Sequence, residues 1–104
     1  MLNYKIQLSI QAKQDYTEII SYLKNNLLEP SIAEKYANLI NDEIYTLRDN
    51  PQKFAIIDDE NLKKYNFRKL IIKNYIAFYR VDENKKLVSV ERILYNKMNW
   101  KNIL

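Results

Sequence analysis

Three arginines stand inside apolar segments of the second half of the chain, and they are the residues best suited to chemistry. Arg68, Arg80 and Arg92 each interrupt a run rich in Ile, Val, Phe and Tyr. A guanidinium group binds phosphate or carboxylate in a bidentate manner, so it can hold an anionic ligand or stabilise a charged transition state. We expect Arg68 and Arg92 to come from separate strands and to converge on one open patch that an anionic target can reach.

Proton transfer would need other side chains. A site that cleaves a phosphate ester must activate an attacking hydroxyl, stabilise the charged phosphorane and protonate the leaving oxygen. Arg68 and Arg92 could perform the second task, which leaves the other two to a lysine or to Tyr95, Tyr79 or Glu91. Tyrosine and lysine titrate near pH 10 in water, so either would need a shifted pKa to contribute the usual factor of about 10² to 10⁴.

The same residues also have ordinary structural interpretations. Tyr75 and Tyr79 lie in an apolar run and fit core aromatics better than catalysts. Arg80 could pair with the nearby carboxylate of Asp82 or Glu83. For Arg68 and Arg92, the functional and structural interpretations carry equal weight.

The composition of the 104-residue chain excludes several classes of site. With no cysteine and no histidine, it has neither thiol chemistry nor the commonest metal ligand, so we expect no metal and no cofactor. With no glycine, phosphate-binding glycine loops are absent and left-handed turn positions are expected to be filled by Asn. Residues 1–104 have the size of one domain, and without a signal peptide or a bilayer-spanning run we expect a cytoplasmic protein.

Charge is divided unevenly along the chain. Residues 1–62 contain six basic and ten acidic residues, whereas residues 63–104 contain eleven basic and three acidic residues. The second half therefore carries the positive field, which favours a polyanionic partner such as nucleic acid or an acidic protein segment.

The first half predicts a strand followed by a helical hairpin. Tyr4, Ile6 and Leu8 alternate with polar residues as in a half-buried strand, and Ser9 is placed as a helix N-cap. Two helices are predicted, the second starting with a capping box of Ser31 and Glu34. Their apolar stripes are Ala12, Tyr16, Ile19, Ile20, Leu23 and Leu27 in the first, and Ala33, Tyr36, Ala37, Ile40, Ile44 and Leu47 in the second.

The second half predicts a three-stranded antiparallel meander from Phe67 to Leu94, broken at Asn74 and at residues 82–86. The first strand must join this sheet. We therefore expect an α+β domain of order βααβββ, with the helical hairpin on one face of a curved antiparallel sheet of about four strands. The opposite face would be open to a ligand, and a tail with Trp100 would cover a hydrophobic edge.

Short fragments in this order and spacing resemble one family along nearly the whole chain. They are Ala12-x-x-Asp15 with Ile19 and Tyr22, Ala33 with Tyr36, Leu47 with Asn50-Pro51, Arg68-Lys69-Leu70, residues 75–81, residues 90–95, and the ending Tyr95-x-Lys97-x-x-Trp100. This pattern resembles the RelE/ParE superfamily of bacterial type II toxins. The resemblance implies the βααβββ toxin fold, growth arrest as the biological role, and a cognate antitoxin as partner.

The resemblance leaves the target open between DNA gyrase and the ribosome with its mRNA. The ending favours a ParE-like gyrase inhibitor, while the alternative is a RelE-like endoribonuclease with Arg68, Arg92 and Tyr95 as its catalytic residues. Many members carry a histidine near the position of Tyr95 and a glycine before Arg68, and both are absent here. A degenerate toxin that only binds its antitoxin is a third possibility. Residues expected to bind the target or nucleic acid are Arg68, Lys69, Arg80, Arg92 and Lys97, and no antitoxin-binding residues are assigned.

Overall fold

The computed structural model describes residues 3–26 and 29–104, and it confirms the predicted order of helices and strands. The main elements are β1 (Lys5–Leu8), α1 (Ile10–Asn26), α2 (Pro30–Tyr45), β2 (Arg68–Ile72), β3 (Tyr75–Asp82), β4 (Leu87–Tyr95) and α3 (Trp100–Ile103). Short 3-10 turns occupy Thr46–Arg48, Pro51–Lys53 and Lys63–Tyr65. Leu27, placed in the first helical stripe, lies outside the described residues. In the described ranges no helix is both long and apolar enough to cross a bilayer.

The four strands form one sheet in the order β1-β4-β3-β2. β2, β3 and β4 make the predicted antiparallel meander. β1 runs parallel to β4, with Lys5 opposite Leu87 and Leu8 opposite Val90, so the expectation of a wholly antiparallel sheet was wrong at this pair. Alternating apolar residues indicate a strand but carry no information about its direction. Parallel strands need a long connection between them, and here the helical hairpin forms part of the connection from β1 to β4.

One of the two predicted helix caps is present. The Ser9 hydroxyl accepts a hydrogen bond from the Ala12 N–H at 2.9 Å and donates one to the Glu91 carbonyl at 2.7 Å. The capping box of Ser31 and Glu34 was wrong, because α2 already begins at Pro30, with Glu29 as N-cap and no side-chain cap bond. Proline suits the first helical position because its fixed φ is already helical and its missing N–H would have had no partner there.

The main core lies between the helical hairpin and one face of the sheet. Its most buried side chains come from the helices, the turn after α2 and the sheet. They include Ala12, Ile40, Leu47, Ile72, Tyr79, Val88, Val90 and Ile93. Apolar burial of this kind contributes about 25 cal/mol for each Å² removed from water, so this layer supplies the main driving force for folding.

The opposite face of the sheet is covered, which corrects the expectation that it would be open. Ile57, Ile76, Phe78 and Leu94 are buried there beneath Phe67 and the C-terminal residues Trp100, Ile103 and Leu104. The Phe78 and Trp100 rings lie 5.1 Å apart between centroids. The prediction that the tail covers apolar surface is confirmed, and this tail is what closes the face.

Among the residues that the structure describes, three adopt a positive φ, and only one of these is the expected asparagine. Asn66 has a φ of 59°, but Lys73 in the turn between β2 and β3 has 55° and Lys86 before β4 has 50°. This conformation places Cβ close to the carbonyl oxygen, so lysine adopts it at a cost that glycine or asparagine would largely avoid. Hairpin geometry therefore overrides residue preference at both lysines.

Candidate functional site

Arg92 is bound to a buried carboxylate on the first helix. Its Nε and Nη2 donate to the two oxygens of Asp15 at 2.8 and 3.0 Å, a bidentate ion pair. Asp15 is only 6% exposed, and Oδ2 also accepts the backbone N–H of Ile93 at 3.0 Å. The pair fastens α1 to β4, and its hydrogen bonds raise the pKa of the Arg92 guanidinium above its ordinary value.

A β-bulge makes this arrangement possible. Phe78 pairs with Arg92 while its neighbour Tyr79 pairs with Val90, so Glu91 is an extra residue in β4. The bulge changes the alternation, which allows Val90 to stay in the core while Arg92 leaves it. Because β1 ends opposite Val90, the Asp15 carboxylate can reach the edge of β4 just beyond that point.

Arg68 is held at the other side of the sheet. Its Nη1 donates to the carbonyl oxygens of Phe54 and Gln52, the latter at 3.3 Å. β2 is the edge strand farthest from β1, whereas Arg92 turns towards α1 beside β1. The predicted convergence of Arg68 and Arg92 on one open patch was therefore wrong, because each guanidinium is bound to a different part of the chain.

The remaining candidate cations have partners of other kinds. Arg80 has its Nη2 3.8 Å from an oxygen of Glu91, so its carboxylate partner is on the neighbouring strand and not Asp82 or Glu83 as predicted. The Lys69 ammonium sits 5.4 Å from the centre of the Trp100 ring, within reach of a cation–π contact. Lys97 is exposed.

The two tyrosines of β3 have structural environments. Tyr79 is fully buried, and its hydroxyl donates to the Pro51 carbonyl at 2.6 Å. Burial raises the pKa of Tyr79 to about 12, which keeps the phenol neutral and ill-suited to general base catalysis. Tyr75 is also buried, with its pKa raised by the same cause, and it packs edge-on against Tyr36 and Tyr95 at 5.9 Å.

Tyr79 predicts a loss of stability at high pH. The unfolded chain releases this proton near pH 10, while the native state retains it until about pH 12, so the unfolded state binds fewer protons in that interval and stability falls as pH rises. Two pH units correspond to about 2 to 3 kcal/mol. Urea unfolding of the wild type and Tyr79→Phe should show this additional loss in the wild type alone, and parallel pH profiles would contradict the prediction.

Arg92 and Tyr95 do share one groove. It has a volume of about 540 Å³ between α1 and the end of β4, and its walls include Glu18, Ile19 and Tyr22 from the helix. Tyr22, Tyr95 and Met98 are 62%, 40% and 47% exposed, so the groove presents adaptable apolar and aromatic surface. Of the three predicted catalytic residues, the structure brings two together and leaves Arg68 elsewhere.

Asp15 is the functional-site residue that the chemical reasoning missed, and a signal for it was present. It lies three residues after Ala12 and four before Ile19, which places a carboxylate on the apolar stripe of α1. A charged residue on such a stripe needs a buried partner. In the described ranges, no three acidic side chains cluster as a metal ion would require.

Solved structures from two toxin–antitoxin systems share this fold. A chain of the chromosomal ParDE TA system from P. aeruginosa superposes with a TM-score of 0.72 at 20% identity, covering 88% of this chain and 95% of that one. A chain of the toxin-antitoxin complex RelBE2 from Mycobacterium tuberculosis gives 0.64 at 18% identity, covering 91% and 93%. At such identities the likeness concerns the fold alone. No curated protein matches the chain significantly.

The family follows from a separate comparison with family models. The model described as ParE toxin of type II toxin-antitoxin system, parDE, matches residues 6–100, so the chain belongs to the ParE toxin family. It is a toxin of a type II toxin–antitoxin system, which confirms the resemblance seen in the sequence.

Proposed function

We propose that this toxin arrests growth by binding and inhibiting DNA gyrase in the cytoplasm, as a protein ligand and not as a nuclease. The observation that carries the proposal is the buried ion pair between Asp15 and Arg92. It commits the guanidinium best placed for phosphate to an internal carboxylate. Arg68 is likewise bound to backbone carbonyls, and Tyr79 is kept neutral in the core.

Cationic side chains that keep part of their surface in water would then make the contact with the target. Arg80 has a side chain that is 47% exposed, and Lys97 is exposed beyond the end of β4. Both belong to the basic half of the chain, where positive charge steers an acidic partner towards the surface.

One observation favours the endoribonuclease as a second candidate function. Arg92 and Tyr95 line the same groove, with Glu18 on its opposite wall. An RNA phosphate placed there would lie beside a permanent cation, with a phenol available for proton transfer. In this case Tyr95→Phe abolishes growth arrest while folding is retained.

The partner that we propose in the cell is a cognate antitoxin. Family membership and the two neighbouring toxin–antitoxin structures support this proposal. The charge division adds that the antitoxin segment in contact with residues 63–104 should be acidic.

A supercoiling assay tests the proposed target directly. Purified wild-type chain should inhibit negative supercoiling of relaxed plasmid by gyrase, while ribosomes translating a reporter mRNA should yield no cleavage products. Charge reversal by Arg80→Glu or Lys97→Glu should weaken gyrase inhibition about tenfold or more, because it places like charges at a contact. Lys35→Glu is the matched control, since Lys35 is exposed on the helical half. Cleaved mRNA with unaffected supercoiling would overturn the proposal in favour of the nuclease.

A further inference from the structure

Two long stretches in the second half of the chain contain no acidic residue. Residues 61–81 and 92–104 hold nine lysines and arginines between them and no Asp or Glu. The fold brings the two stretches together, because the Asn96 N–H donates to the Asn74 carbonyl at 2.8 Å and the Trp100 ring packs against β3. The turn after β2 and the C-terminal segment therefore form one continuous surface.

Four lysines lie on this surface, which we call the basic surface. The ammonium groups of Lys69 and Lys101 lie 5.4 and 5.7 Å from the centre of the Trp100 ring. Lys73 and Lys97 adjoin the hydrogen bond just described. Among the described residues, Lys101 alone of the four has a carboxylate partner, at 3.2 Å. The basic surface consists of Lys69, Lys73, Lys97 and Lys101, together with the exposed amides of Asn74, Asn96, Asn99 and Asn102.

This combination of side chains fits a phosphate backbone better than a protein. Protein interfaces are depleted in lysine and enriched in aromatic residues, whereas phosphates are bound by lysine and by side-chain amides. Trp100, the aromatic residue of this surface, already packs against Phe78 at 5.1 Å and carries two ammonium groups beside its ring. Its ring is therefore occupied, and unpaired bases would lack the aromatic platform on which they usually stack. Such a surface suits the continuous phosphates of a duplex.

We propose that the basic surface binds the phosphate backbone of duplex DNA without reading its sequence. Each lysine that neutralises a phosphate releases counterions, which supplies the free energy of binding. The biological meaning rests on the proposed function, because gyrase acts on DNA. A toxin that holds the duplex in this way would bind the gyrase–DNA complex more tightly than gyrase alone. Lys97 belongs both to the basic surface and to the proposed gyrase contact, so the two ligands would lie side by side.

Binding of the full chain to a fluorescently labelled duplex of about 30 base pairs tests the basic surface without gyrase. The wild type should bind with a Kd of about 10⁻⁴ to 10⁻⁶ M near physiological salt, and the logarithm of affinity should fall with the logarithm of salt concentration with a slope of about −3 to −4. The double variant Lys69→Gln with Lys73→Gln should weaken binding about tenfold or more and reduce the steepness of that slope by about two.

Two further double variants show whether charge at this place is the cause. Lys13→Gln with Lys35→Gln changes the net charge equally, but both lysines are exposed on the helical half, so affinity should stay within about twofold of the wild type. Lys69→Arg with Lys73→Arg keeps both charges and should retain binding. Equal losses in the two glutamine variants would overturn the proposal. Tighter binding to a single strand would overturn it as well, and so would displacement of the duplex by polyglutamate at equal charge concentration, which would favour an acidic protein.

Capture of purified gyrase on immobilised toxin separates this proposal from the proposed target. Duplex DNA should strengthen capture by the wild type about tenfold. The variant Lys69→Gln with Lys73→Gln should capture free gyrase as the wild type does but lose this enhancement. Duplex binding without gyrase capture would overturn the proposed target and keep the basic surface, whereas gyrase capture without duplex binding would overturn the basic surface alone.

Discussion

Asp15→Ala should lower the free energy of unfolding by about 3 to 5 kcal/mol. The substitution removes the acceptor for the Arg92 guanidinium and for the Ile93 N–H, leaving a largely buried cation and a backbone donor without their partner. Breaking a buried pair from one side is costly because the remaining charge keeps its desolvation penalty. Urea denaturation followed by circular dichroism measures the loss.

Three companion variants identify the cause of that loss. Glu34→Ala, which removes an exposed carboxylate on the other helix, should change stability by less than about 0.5 kcal/mol. Asp15→Asn retains an acceptor oxygen and should cost less than the alanine variant. The double variant Asp15→Ala with Arg92→Ala should cost less than the sum of the single changes, because the stranded charge is gone. Additive costs would show that the pair is not coupled.

Phe78→Ala should destabilise the fold by a similar amount, about 3 to 5 kcal/mol, and should also release the C-terminal segment. The Phe78 side chain is fully buried on the second face of the sheet, and its ring lies 5.1 Å from that of Trp100. Truncation removes apolar burial and leaves a cavity beneath α3. Trp100 is the single tryptophan of the chain, so its fluorescence should shift to the red as water reaches the indole.

Ile10→Ala is the matched control for this prediction. Ile10 lies on α1 and is 86% exposed, so its truncation should cost less than about 1 kcal/mol and leave the emission of Trp100 unchanged. Should Phe78→Ala keep both wild-type emission and stability, the second face would not depend on the contact between Phe78 and the tail.

The periodicity of apolar residues predicted the two long helices and the four strands. It did not predict how these elements pack against one another. The 3.6-residue stripes predicted both helices, and alternation predicted β1 and the meander. The parallel pairing of β1 with β4 depends on contacts between residues about eighty positions apart, and local pattern does not report them. The same holds for α3, whose role in covering Phe78 became visible in full only in three dimensions.

The candidate site shows why residue type alone did not predict geometry. The sequence singled out Arg68 and Arg92 by their apolar surroundings. It gave no sign of their partners, which are two loop carbonyls for Arg68 and a carboxylate on α1 for Arg92. The bulge at Glu91 changes which way Arg92 faces, and a single inserted residue of this kind leaves no periodic signal. The proposed target of the toxin is therefore supported by the family match and the surface charge more than by the predicted constellation.

The parallel pair of β1 and β4 sets a condition on when the molecule can form. Lys5–Leu8 are translated well before their partner residues Leu87–Val90, which follow about eighty positions later. Closing so large a loop delays productive folding, and until then β1 and the inner face of the helical hairpin stay exposed to solvent. A chain that ends before Leu87 therefore lacks the strand that pairs with β1, and it should not reach the native fold.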